Sequence, residues 1–174
     1  MESLPRKGSI VYNIKFGDEK ARDRTLNRWK FMNRFVIVPL GRMRLFPILF
    51  LKNTFVVVSV IGRKTGTRRY AGISLRKLDE GMFLFLARGM KTQWFTNHLA
   101  NPDLSSIYYG FKKYRVEFEL LHNIDKLRIM GKYVVRYPKW AKLGIGWNKE
   151  KDDPRGELLR EYLSKIEIVK ISMV

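Results

Sequence analysis

The sequence predicts an α+β protein: a small antiparallel β-barrel of about six strands with an N-terminal amphipathic helix and peripheral helices. Three observations carry this. An apolar, β-branched run at 55–61 reads as a buried strand, and shorter runs of the same kind recur after it. The turn formers Asp79-Glu80-Gly81 and Gly110 sit between such runs, as hairpins require. Strands and helices do not alternate regularly, which argues against a doubly wound parallel sheet.

In chain order, residues 1–24 read as an N-terminal arm with one short strand at 10–14, and residues 25–174 as a single domain. Thr25 can cap a helix whose face carries Leu26, Trp29, Met32, Phe35 and Val36, with Arg24, Arg28, Lys30 and Arg34 around it. Pro39 and Gly41 are expected to end it. The apolar run 45–51, bounded by Arg44 and Lys52, falls far short of the ~20 residues of a membrane span. Residues 25–52 are instead suited to an anionic membrane surface, although packing of the same face on the domain explains it equally well.

Strands are expected at 55–61, 70–77 and 82–87, the last two joined by the Asp79-Glu80-Gly81 turn. A short helix from Trp94 stops at Asn101-Pro102. Strands at 105–109 and 113–121 form a hairpin about Gly110. In the second of them Tyr114, Val116, Phe118 and Leu120 alternate with Arg115, Glu117 and Glu119, which gives one core face and one wet face. Leu127, Met130 and Val134 space a helix over 124–135, and a further helix at 154–165 leads into a closing strand at 166–174.

A chain of 174 residues, 45% apolar, has room for a proper core. With no cysteine and two histidines, no disulfide and no metal site are implied. The first thirty residues are polar and basic, without a secretory apolar segment, so the expected location is cytoplasmic, with the inner face of the membrane as a peripheral site. The net charge is +19 and unevenly spread: residues 1–78 hold 18 cations against 4 acids, residues 79–174 hold 17 against 12. A field of that kind attracts nucleic acid, an anionic leaflet or a polyanionic small molecule.

The chemistry concentrates where strands end. Gly62-Arg63-Lys64-Thr65-Gly66-Thr67-Arg68-Arg69 follows the first strand and offers backbone N–H groups and cations for phosphate. Its spacing is neither that of the nucleotide-triphosphate loop nor that of the dinucleotide turn. Arg88-Gly89-Met90-Lys91 follows the strand ending at 87 in the same way, so two basic turns are expected to converge on one anion. Trp94 and Asn97 come next, near the start of the short helix, where N–H groups also favour anions.

These residues, with Arg69 after Gly66 and Ala100-Asn101-Pro102 after Trp94, resemble the deazaflavin-dependent nitroreductases of the split β-barrel flavin-binding superfamily. Tyr137-Pro138-Lys139-Trp140 is similar to the aromatic segment that roofs the substrate pocket there. The resemblance implies a split barrel binding reduced coenzyme F420, a deazaflavin with a phosphate and a polyglutamate tail. It places Gly62, Arg63, Lys64, Thr65, Gly66, Arg69, Arg88, Gly89, Lys91, Trp94 and Asn97 around that cofactor, with Arg88 standing where the family usually has Lys. It implies hydride transfer to an apolar acceptor such as a quinone, a nitro compound or an unsaturated lipid. Tyr137 or Tyr133 would return a proton, and Tyr137 and Trp140 would line the acceptor site.

Two other readings stay open: an FMN-binding barrel, whose phosphate needs the same turn, and a basic nucleic-acid-binding barrel without catalysis. The sequence argues against nucleic acid, since its aromatics lie in apolar alternation and are not interleaved with cations on one strand face. Haem is disfavoured by the positions of His98 and His122. Those histidines, with Tyr108, Tyr109, Trp29 and Trp147, read as packing residues. Monomer and homodimer are both compatible with the chain.

Overall fold

The computed structural model describes residues 3–49, 51, 54–86 and 88–174. Phe50 and Lys52 of the apolar run and Ala87 of the third expected strand lie outside the described residues. Two compact units form: one gathers Met1–Trp29 with Leu121–Glu167, the other Lys30–Leu120 with Ile168–Val174.

The second unit is the barrel. Its strands are β1 (Phe55–Ile61), β2 (Arg68–Leu78), β3 (Gly81–Leu86), β4 (Ser106–Tyr109), β5 (Lys112–Leu120) and β6 (Glu167–Met173), closed in the order β1-β2-β3-β6-β5-β4. The β1–β2, β1–β4, β2–β3, β4–β5 and β5–β6 pairs are antiparallel. The fold is therefore α+β with a closed six-stranded barrel, as the turn signals and strand patterns indicate. Inward positions follow the two-residue period: Val56, Val58 and Val60 from β1, Leu75 from β2, Leu84 and Leu86 from β3, Ile107, Val116, Val169 and Ile171 from the others. The β2–β3 hairpin pairs Leu78 with Gly81, so Asp79-Glu80 is its two-residue turn.

Antiparallel order brings the basic turns to one end. β1 and β3 run in the same direction on either side of β2, so both finish at the same barrel rim. They are not neighbours in the sheet, since β2 lies between them. A 3₁₀ turn (Gly89–Lys91) and helix α4 (Gln93–Ala100) follow β3, and α4 presses Trp94 and Phe95 into the core cluster.

The N-terminal elements differ from expectation. Residues 10–14 are helical: α1 (Ile10–Lys15) is capped by Ser9, whose hydroxyl accepts from Tyr12 N and donates to Arg6 O. The cap overrides the β-branched local preference. The long helix starts earlier than Thr25. α2 (Glu19–Met32) is capped by Asp18, which accepts from Ala21 N at 2.6 Å, while the Thr25 hydroxyl donates back to Ala21 O. Nor do Pro39 and Gly41 end it. The chain widens into a π turn (Asn33–Ile37), with Val38 N on Asn33 O, and continues as α3 (Val38–Arg42). The wider turn suits Pro39, which has no N–H to give to the preceding turn.

No residue of α2 is buried, so the expected apolar face at 26, 29, 32, 35 and 36 is not covered as a face. In the barrel unit the contact falls instead on Asn33, Ile37 and Gly41. Asn33 Oδ1 accepts from Gly72 N at 2.7 Å, and Gly41 lies against Val57 and Phe46.

The first unit is helical: α1, most of α2, α5 (Asn123–Arg136), α6 (Pro138–Ile145) and α7 (Glu157–Leu163). Its arm is tied down by Arg6, whose guanidinium grips Asp152 through two 2.6 Å bonds and also donates to Gly146 O. That fork, with help from Asn148 N, holds the Asp152 carboxyl below its usual range against the opposing cost of burial. Because the folded value is depressed, the contribution is complete above the ordinary carboxylate pKa and is lost as pH falls through the folded value. Asp152→Asn is expected to cost about 2 kcal/mol at neutral pH and to flatten the acid limb of the stability profile, read from urea midpoints between about pH 3 and pH 7.

Candidate functional site

The rim where β1 and β3 end opens into a cleft of about 580 Å³, lined in part by Gly62, Arg63, Lys64, Thr65, Arg69, Arg88, Trp94 and Asn97. The turn after β1 and the turn after β3 therefore share one cavity, and all eight of those residues were singled out from the sequence. Gly66, Gly89 and Lys91 of the same set do not line it; the two glycines instead hold left-handed turns, with φ of +64° and +54°. Val60, Tyr70, Ala71, Thr92 and Gln93 line the cleft and were not anticipated. Val60 and Ala71 were legible in principle, since each continues the inward alternation of its strand.

The walls divide by chemistry. Val60 and Ala71 belong to the inward column of the barrel, and Trp94, 8% exposed, packs its indole in T-shaped contacts with Phe95 and Phe118. These make an apolar floor. The rim carries Arg63, Lys64, Arg69 and Arg88, all exposed, and no carboxylate is among the described lining residues. Arg69 pairs across β1–β2 with Val60, which places its side chain at the top of the inward column.

The turn itself is built differently from the expectation. Its N–H groups were expected to face an anion, yet most are used inside the protein. Gly62 N donates to Thr67 O, Thr65 N and Gly66 N to Gly62 O, Thr67 N to the Thr65 hydroxyl, and Arg63 N to Asn97 Oδ1. Arg63 is committed further through Nη1, which donates to Thr96 Oγ1 at 2.7 Å and Asn97 Oδ1 at 3.2 Å. Asn97 thus anchors the turn to α4. The groups left to meet a ligand are side chains, chiefly Lys64, Arg69 and Arg88. The first turn of α4 adds its own N–H groups, since Thr92 at its N-cap makes no side-chain cap.

No family model matches the chain, and no curated protein does. Solved structures match it in fold. They include an F420-H2 dependent reductase (19% identity, covering 68% of this chain and 94% of that one, TM-score 0.45). A conserved hypothetical protein from Mycobacterium tuberculosis shares 14% identity over 76% of this chain and 79% of its own, at a TM-score of 0.49. HutZ, the heme storage protein from Vibrio cholerae, shares 11% over 74% and 88%, at 0.42. At such identities the ligand is read from the cleft alone.

The remaining candidates lie in the helical unit. Tyr133 on α5 is 4% exposed and stands beside Tyr162, whose hydroxyl is pushed well above its usual pKa by burial and by that neighbour. Tyr137 at the α5–α6 junction is half-buried, its ring 6.0 Å from that of Tyr133, and Trp140 is 39% exposed. In the barrel unit His98 is buried, its Nδ1 paired with Ser105 Oγ at 2.8 Å and its ring edge-on to Phe118, and desolvation lowers its pKa. It is a packing histidine. Among the described residues no cluster of His, Cys, Asp and Glu could hold a metal, and no helix is long and apolar enough to cross a membrane.

Proposed function

We propose that the chain is a reductase that passes a hydride from reduced coenzyme F420 to an apolar acceptor of the quinone, nitro or unsaturated-lipid class. One observation carries this reading: two separate basic turns meet over a single apolar floor in a cleft with no described acidic lining residue. A planar redox heterocycle with an acidic tail needs that combination of a dry seat for its ring and fixed cations for its phosphate and carboxylates. When bound, the reduced deazaflavin supplies the hydride.

The chain's part in the cleft is binding and orientation. Lys64, Arg69 and Arg88 neutralise the acidic groups, while Arg63, held by Thr96 and Asn97, keeps the turn in place. Val60, Ala71 and Trp94 keep water from the ring.

Fluorescence titration of the full chain with F420, FMN and a labelled oligonucleotide tests the assignment. Quenching by the deazaflavin at much lower concentration than by FMN is expected. Tighter binding of FMN replaces the cofactor, and binding of the oligonucleotide alone overturns the reading.

A further inference from the structure

We propose that the face formed by residues 30–49 of the barrel unit docks onto an anionic lipid bilayer, with Phe31, Phe35, Met43, Ile48 and Leu49 entering the interface and the flanking cations engaging lipid headgroups. Phe31 and Phe35 are each 59% exposed, Met43 66%, Ile48 62% and Leu49 45%. Five large apolar side chains this open within twenty residues leave the apolar surface of this segment uncovered among the described residues.

Helix geometry explains why they stay outside. Asn33, Ile37 and Gly41, four residues apart, turn to the barrel: Asn33 Oδ1 binds Gly72 N, Ile37 packs on Gly72, and Gly41 packs on Val57 and Phe46. Phe31 and Phe35 are about half a turn away from that stripe, on the opposite side. Their rings lie 5.0 Å apart and form one aromatic ridge, with the Arg34 guanidinium 5.4 Å from the Phe35 ring. Beyond α3, Phe46 is buried as an anchor while Ile48 and Leu49 remain outside.

Charge selects the occupant. From residue 24 to residue 78 the sequence has thirteen Lys and Arg and no Asp or Glu. Arg34 lies against the ridge, and Lys30 and Arg44 flank these apolar residues in the sequence, so a second copy of this face would meet cations with cations. An anionic surface meets them with opposite charge, while the aromatic ridge adds apolar burial.

The inference is independent of the cofactor. It is tested by flotation of the full chain with vesicles of phosphatidylcholine alone and of phosphatidylcholine with phosphatidylglycerol. The wild type is expected to float with the anionic vesicles and far less with the neutral ones. The double variant Phe31→Ser/Phe35→Ser is expected to lose about tenfold in partitioning. Phe111→Ser, which removes an equally exposed ring from the β4–β5 turn, is expected to change nothing. No flotation, or full flotation of the double variant, overturns the proposal. So does a vesicle-free dimer that the double variant dissociates, since the face would then belong to a second copy.

Discussion

Gly72→Ala is expected to destabilise the barrel by about 3 kcal/mol, the scale of overpacking a filled site and weakening one buried hydrogen bond. Gly72 lies in the middle of β2, opposite Val57, and is buried. A methyl group there would run into Ile37 Cγ2 and stand 2.6 Å from Asn33 Oδ1, the atom that accepts the Gly72 N–H. The added carbon therefore pushes the π turn off the sheet and pulls at the bond that anchors it. Chemical denaturation reads the loss directly. Gly72→Ala combined with Ile37→Ala should cost less than the two singles together, because the second change opens the space that the first one needs. A single-variant loss under about 0.5 kcal/mol would mean that this helix does not rest on β2 as described.

The same contact shows what the sequence conveys and what it withholds. Strand positions were legible because alternation and turn chemistry are local: Asp79-Glu80 closes the hairpin as expected, and the interior of β5 falls on Val116, Phe118 and Leu120. Helix ends were misjudged where a cap competed with a stronger-looking signal. Ile10, Val11 and Ile14 suggested a strand, but Ser9 and the buried Val11 make a helix of them. Pro39 suggested a stop, and only a π turn, which composition does not announce, lets the helix go on. Helix α6 was not anticipated, although Pro138 in its first turn and Gly146, with φ of +76°, after its end are the usual marks of a helix.

The cleft was half legible. That two basic turns lie at one rim follows from strand direction, which the pattern of hairpins already contained. How the turn after β1 spends its polar groups did not follow, because that depends on Asn97, thirty-four residues later, arriving at Arg63. Sequence spacing treats every cation of the turn alike. The structure separates Arg63, which is committed to the protein, from Lys64 and Arg69, for which the cleft is open.

That separation sets the largest expected effect on binding. Lys64→Ala and Arg69→Ala should each weaken F420 by about 1.5 to 3 kcal/mol, the range of a hydrogen bond to a charged group, and the double variant should lose most measurable affinity. Both side chains are exposed in the free protein, so neither substitution leaves a buried charge behind, and the unfolding midpoint should stay within about 0.5 kcal/mol of wild type. Arg63→Ala should behave differently. Its loss frees Asn97 and Thr96 and loosens the turn, so it should alter stability as well as affinity. Raising salt should weaken the wild type more steeply than the double variant, because screening acts on the charges that remain. Equal Kd values for the wild type and the double variant, with both folded, would take the rim out of cofactor binding and with it the reductase assignment.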